Sequence, residues 1–393
     1  MRAERRLAPA RPAWTWFDWT AWPPALRYAL YSTPLWSGLL GRLARGRVWF
    51  PDFRAVACGA QRYADGVALY APEPCQDPQA AAFVYGPWIA RAGAGLTGLL
   101  GPHGLMSAYA ALFVAATAFL VWMLTLRHAT PGAPEARARF LGLIIGSAVS
   151  TGNVALPAHA AIAAAGLALR RAPWLLVAAI TAAATIKPVL LTYLAVVVLM
   201  RRSLAWRGGA CLLAAGLGLA PMVLFALRGG ALFQAWRELL GHFVYRVTPG
   251  EGLFGWMGLS GVPAAGPAGA LVAMAWAVCV TLCGLAVAER GKLDDEARLW
   301  IGLACAALAN PRLMSEDLFL IGPGLLACAE AVGGFRPEAG RWAAGTVGSA
   351  CGVALLGNLV DLSSLMTPVA TLVLAGVVVG SGLLALRGAE SPR

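Results

Sequence analysis

The sequence predicts an all-α, polytopic membrane helix bundle, and three observations carry that reading. Hydrophobic residues make up 59% of the 393 and charged residues only 13%, with 46 glycines outside the hydrophobic share. An ordinary soluble domain is roughly half apolar even with glycine included, and about a quarter charged. The apolar residues gather in runs that reach the length of about 20 residues a bilayer requires. Basic residues cluster in the short segments between these runs, as membrane sidedness demands. The same composition excludes a disordered chain. The formal net charge of +12 therefore reads as topology, and no nucleic-acid partner is expected.

Taken in order, the N-terminal segment 1–23 is rich in Arg, Trp and Pro, has no signal-peptide core, and is expected to be cytoplasmic or interfacial. Segment 24–44 must cross if residues 46–104 are to lie outside, but Arg27 and Arg42 make it a poor span, and lying at the interface is the alternative. Residues 46–104 form the first extracytoplasmic loop and 227–265 the second. Full-length spans are expected at 105–126, 205–226, 266–288, 343–360 and 366–386. Three further apolar regions are interrupted: 140–169 by Ser150-Thr151-Gly152-Asn153 and Pro157, 174–200 by Lys187-Pro188, and 299–332 by Asn310-Pro311-Arg312 and Ser315-Glu316-Asp317. The count is about 10–12 helices, short broken ones included, in a single integral domain over 1–393.

Charge decides how the interrupted regions thread. Basic clusters occur at Arg127/Arg137/Arg139, Arg170/Arg171 and Arg201/Arg202/Arg207. If 140–169 and 174–200 each crossed once, the middle cluster would lie outside. If each is a hairpin of two short helices, all three stay cytoplasmic. Each half would be roughly 18–22 Å long, so the turns at Asn153 and Lys187 would sit below the outer surface and line a hollow. Irregular backbone at membrane depth is tolerated in such a place.

Three polar features then share the outer side: Pro51-Asp52-Phe53-Arg54, Lys187, and the stretch Asn310 to Asp317. Lys187 is one of only two lysines. A charge at membrane depth costs at least ~2.5–3.5 kcal/mol and faces a cavity or a partner, so it either pairs with Glu316 or Asp317 or binds a lipid phosphate. Asp52 reads as the N-cap of a helix over 54–64 or as a catalytic carboxylate. The histidines, including His159 in a short helix, show no metal-ligand spacing, so neither metal nor cofactor is expected. None of the eight cysteines sits in CxxC, and Cys58 and Cys75 share a polar loop where they can pair in an oxidising compartment.

Asp52-Phe53-Arg54, then Tyr63 to Tyr70, then Phe83-Val84-Tyr85-Gly86-Pro87, resembles the first outer loop of glycosyltransferase family 87. Gly152-Asn153-Val154 is similar to that family's Gly-Gln/Asn-x-Asn region. Ala184-Thr185-Ile186-Lys187-Pro188, with Tyr193-Leu194 and Arg201-Arg202, resembles its Ala-x-x-Lys-Pro…Tyr-Leu…Arg-Arg run. Asn310-Pro311-Arg312-Leu313…Asp317-Leu318 resembles its late motif. The matches keep the family's order from about 50 to 330. This sequence departs in its weak first span, in Gly86-Pro87 where Pro-Pro is usual, and in Glu316 where an aromatic is common.

The resemblance implies a bundle of GT-C type in a bacterial inner membrane, with its active site on the extracytoplasmic side. It implies a polyprenyl-phosphate sugar donor (mannose or a pentose class), a lipid or glycan acceptor, and inverting transfer. Asp52 would be the general base, Lys187 and Arg312 would hold the donor phosphate, and Arg54, Tyr63, Tyr85, Asn153, Glu316 and Asp317 would line the substrate pocket. Two other readings remain: a lipid or solute transporter or flippase, since broken helices also mark transporters, and an inactive family member with a structural role.

Overall fold

Proline sets where many of the helices begin. Its fixed φ and missing N–H suit the first helical position, and it occupies that position at Pro24, Pro51, Pro87, Pro134, Pro173 and Pro337. The computed structural model describes residues 22–71 and 82–387. Within them the chain is all-α, with sixteen α-helices, more than the count expected from the sequence. Six helical stretches are long and apolar enough to cross a membrane: Pro87–Thr125, Leu204–Arg228, Gly266–Arg290, Ser315–Phe335, Pro337–Leu359 and Ser363–Arg387. The protein is thus a multi-pass bundle, and the extra helices come from breaks within spans and from helices inside the two long segments expected as loops.

The first break divides 24–44 into α1 (Pro24–Tyr31) and α2 (Thr33–Ala44). At one end Arg27 forks onto both oxygens of Glu135, at 2.7 and 3.0 Å. At the other, the chain leaving α2 meets the turn at Ser150, where the Phe50 N–H donates to the Ser150 carbonyl at 3.0 Å. The pair therefore travels the length of the chain between Glu135 and Ser150, rather than lying flat across one end. Contact is close enough that a Cβ on either Gly38 or Gly146 would collide with the other's backbone.

The expected first loop is largely helical. It contains α3 (Pro51–Ala64) and the first limb of α4 (Pro87–Thr125), which bends where Gly101 adopts φ 69°, ψ 163° ahead of Pro102. Only the limb after this bend corresponds to the span expected at 105–126. After α5 (Pro134–Ala138), the ascending half of the first hairpin is not an α-helix. It is two 3₁₀ turns, 139–143 and 146–149, and only the descending half, α6 (Ala155–Leu167), is regular. The second hairpin is α7 (Pro173–Ile186), a break at Lys187-Pro188, a 3₁₀ turn over 188–193 and α8 (Leu194–Leu199).

The remaining helices are α9 (Leu204–Arg228), α10 (Gly230–His242), α11 (Leu253–Leu259), α12 (Gly266–Arg290), α13 (Asp295–Ala309), α14 (Ile321–Phe335), α15 (Pro337–Leu359) and α16 (Ser363–Arg387). The segment 227–265, expected as the second loop, therefore holds α10 and α11. At the centre stands α13, buried at every residue from Arg298 to Ala309. On the periphery α9 and α12 expose Leu212, Leu217, Leu227, Leu271 and Met274, the faces a hydrocarbon solvent would cover.

Both ends of the bundle can be read from α13. At its start, Arg127 meets Glu296 at 2.5 Å, Arg170 lies 3.8 Å from Asp295, and Arg201 donates to the Lys292 carbonyl at 3.5 Å. The three basic clusters thus share one end. The turns at Asn153, Lys187 and Asn310 reach the other, about 22 Å away along α13.

Candidate functional site

At the Asn310 end, two asparagines build the turns in the same way. The Asn153 side-chain oxygen accepts from the Ala155 N–H at 3.0 Å, and that of Asn310 from the Arg312 N–H at 3.0 Å. This local bond two residues on is what favours Asn in turns. Each amide then donates to a carboxylate: Asn153 Nδ2 to Asp52 Oδ2 at 2.9 Å, and Asn310 Nδ2 to Asp317 Oδ2 at 2.8 Å.

Asp52 is not a helix N-cap. Phe50 takes that position in a left-handed conformation (φ 58°, ψ 47°), Pro51 begins α3, and the Asp52 N–H donates to the Thr151 carbonyl at 2.9 Å. The side chain is thereby turned over the 150–153 loop. Phe53 stacks on Tyr109 at 3.6 Å and Tyr109 donates to the Gly152 carbonyl at 2.8 Å, so the arrangement is clamped from both sides. Burial raises the Asp52 carboxyl above the ordinary range, opposed by its bond from Asn153 and by the charges of Lys187 and Arg312.

Lys187 Nζ lies 3.9 Å from Glu316 Oε1, beyond hydrogen-bond length. That oxygen is buried with no partner, and Glu316 is only 4% exposed. Of the two ion-pair partners expected for Lys187, Glu316 is the near one. Asp317 is held elsewhere: its Oδ1 meets His159 Nε2 at 2.6 Å, its Oδ2 also accepts from the Met314 N–H at 2.8 Å, and His159 Nδ1 lies 2.7 Å from the Tyr193 hydroxyl. This buried chain ties α6 to the Lys187 and Asn310 turns.

Arg312 donates to Thr248 through Nε (2.9 Å, to the carbonyl) and Nη2 (2.8 Å, to the hydroxyl). Burial lowers its pKa, and the nearby Glu316, Tyr85, Asp317 and Asp52 oppose that. Tyr85 is buried, and its hydroxyl is pushed above its ordinary value by burial first and then by the Asp52 and Glu316 carboxylates. It therefore stays a donor at any working pH.

The structure thus brings Asp52, Tyr85, Asn153, Lys187, Arg312 and Glu316 within electrostatic reach of one another, with Asp317 locked behind them. It leaves two residues aside. Tyr63 lies eleven residues along α3 from Asp52, about 16 Å of helix, and is 43% exposed. The Arg54 Nε turns back to the Trp49 carbonyl at 3.2 Å. Cys58 is disulfide-bonded, and Cys75 lies outside the described residues. Among those residues no set of three or more His, Cys, Asp or Glu could hold a metal ion.

Three neighbours of the candidate site, His159, Tyr193 and Glu251, were given no role there by the sequence, although Tyr193 falls in one of the quoted motifs. His159 and Tyr193 carried one weak signal, since a histidine in an apolar helix must have a partner. Glu251 sits between α10 and α11, clasped to the Asn310 turn by its N–H to the Leu313 carbonyl at 2.7 Å and by the Ser315 hydroxyl at 3.2 Å. Its Oε2 is buried without a partner, and burial raises its carboxyl to about 8.

A carboxylate held by an amide, two cations and an unpaired buried carboxylate oxygen can together remove a proton, offset charge on an anionic group, and accept hydroxyl hydrogen bonds. Comparison with protein-family models, curated proteins and solved structures finds no match to this chain.

Proposed function

We propose that this protein is a membrane glycosyltransferase of GT-C type. It would move a sugar from a polyprenyl-phosphate donor to a lipid or glycan acceptor on the extracytoplasmic side of the cell membrane. The observation that supports this most is the convergence of Asp52, Lys187 and Arg312 from three separate chain breaks, at the end of the bundle opposite Arg127, Arg170 and Arg201. Under the positive-inside rule that end faces outward. No nucleotide donor is at hand there, whereas a lipid-linked sugar is.

The chemistry comes from the residues. An acceptor hydroxyl attacks the anomeric carbon from the side opposite the phosphate. A new C–O bond forms, the bond from the anomeric carbon to the phosphate oxygen breaks, and its electron pair leaves with polyprenyl phosphate. Asp52 takes the hydroxyl proton, and its raised pKa makes it a better matched base near neutral pH. Lys187 and Arg312 offset the charge growing on the departing phosphate. Tyr85 and Glu316 offer a donor and an acceptor to sugar hydroxyls. The product has the inverted anomeric configuration.

The test is to incubate the purified protein in liposomes with radiolabelled polyprenyl-phosphate sugars and a membrane-lipid extract. Release of polyprenyl phosphate with an inverted glycosidic product is expected. Movement of the intact lipid across the bilayer without cleavage would establish the transporter reading instead.

A further inference from the structure

The C-terminal end of α2 carries three arginines, Arg42, Arg45 and Arg47, that the candidate site does not use. The chain closes there in a Schellman turn. The Arg47 N–H donates to the Arg42 carbonyl at 3.1 Å, the Gly46 N–H to the Leu43 carbonyl at 3.1 Å, and Gly46 sits at φ 58°. Only glycine adopts that conformation without strain, and the turn satisfies the helix's last carbonyls by backbone alone. The arginine side chains are thus not needed as caps, apart from one Arg42 Nη1 bond to the Val48 carbonyl. The reversal folds Arg47 back beside Arg42, and all three line one cavity of about 360 Å³ with Gly46, Val48 and Pro51.

No carboxylate among the described residues forms an ion pair with any of the three. Asp52, one residue beyond the cavity wall, is engaged by Asn153. Asp52 acts on Arg42 only through space, so three guanidinium groups without an ion-paired carboxylate line one cavity, and an anion entering it would meet all three. The helix leading to them presents Trp36, Leu40 and Leu43, 57%, 61% and 65% exposed, at the i, i+4, i+7 spacing of a single face. An apolar stripe ending in a basic cavity matches a molecule with a hydrocarbon body and an anionic head.

We propose that this cavity binds the phosphate of an anionic phospholipid of the surrounding bilayer, with the acyl chains along the Trp36–Leu40–Leu43 face. Guanidinium forks suit phosphate oxygens, and basic residues at a bilayer surface draw anionic lipids. The inference does not depend on the reaction carried out at Asp52.

The test is thermal unfolding of the full-length protein in a neutral detergent, titrated with dioleoylphosphatidylglycerol, dioleoylphosphatidylcholine or sodium phosphate. A ligand that binds the folded state raises the melting temperature saturably. Phosphatidylglycerol should do so, and the other two should not. Arg45→Gln/Arg47→Gln, which leaves the Arg42 bond intact, should weaken the apparent phosphatidylglycerol affinity about 10-fold or more. Arg170→Gln/Arg171→Gln, at the opposite end, should leave it unchanged. Native mass spectrometry of the wild-type protein, expected to retain phosphatidylglycerol over phosphatidylcholine, decides the matter if the first variant does not fold. Equal affinity in Arg45→Gln/Arg47→Gln, an equal loss in the opposite-end variant, an equal response to phosphatidylcholine, or a full response to free phosphate would each overturn the proposal.

Discussion

His159 holds Asp317 in place rather than taking part in chemistry. Both side chains are 1% exposed and the three acceptor bonds of Asp317 are all made inside the protein. Removing the hydrogen-bond partner of a buried carboxylate costs about 1–3 kcal/mol or more, so His159→Ala should lower the melting temperature in detergent by several degrees. A melting temperature equal to wild type would show that the chain bears no load. Lys187 differs, because its nearest carboxylate is too far for a hydrogen bond. Lys187→Met should abolish transfer and, by stranding Glu316, also destabilise. Adding Glu316→Gln should restore the melting temperature but not transfer, and restored transfer would remove Lys187 from phosphate binding.

Glu251 supplies a pH dependence. Its folded-state carboxyl titrates at about 8 because burial disfavours the charged form, while the unfolded chain titrates near 4.3. Between these values the unfolded state has released a proton that the folded state keeps, so stability falls as pH rises through that window. Glu251→Gln imitates the protonated form. It should flatten the stability profile between about pH 4.5 and 8 and raise the melting temperature above pH 8 relative to wild type. An unchanged slope would mean that Glu251 is not buried in the folded protein.

At the scale of elements, the two interrupted hairpins decide the topology. Charge made them legible in the sequence: three basic clusters in a row leave only one threading, and the structure gathers Arg127, Arg170 and Arg201 at one end. A cysteine placed at 171 should accordingly be labelled only from the cytoplasmic side, and labelling from outside would contradict the orientation. Other elements were not legible, for physical reasons. The second of the 3₁₀ turns, 146–149, packs on α2 through the Gly38–Gly146 contact, which no local pattern announces. The bend at Gly101 hid a helix start at Pro87 inside what reads as loop. The course of 24–44 is obscured by Arg27, whose charge is answered by Glu135 more than a hundred residues away. Likewise Lys187 stands out in the sequence as a rare charge among apolar residues, and Asp52 and Arg312 stand in polar breaks between apolar runs, whereas Glu251 and His159 are recognisable only once their partners are placed.

The molecule as a whole is polarised. One end carries basic loops paired with the acidic start of α13. The other carries the turns at Asn153, Lys187 and Asn310, whose polar side chains converge there. Between them a buried central helix is ringed by helices that turn leucine and methionine outward. On the proposed function such a body has its stability in the bundle and its reaction at the chain breaks, so a change at Asp52 should act on reaction rate and leave assembly intact. The most direct measurement is therefore the rate at which Asp52→Asn transfers sugar from a polyprenyl-phosphate donor, compared with wild type at matched membrane insertion and melting temperature. Loss of about 10²–10⁴-fold, the scale of general-base catalysis, is the predicted result. An Asp52→Asn protein that turns over the lipid-linked sugar at the wild-type rate would contradict the account.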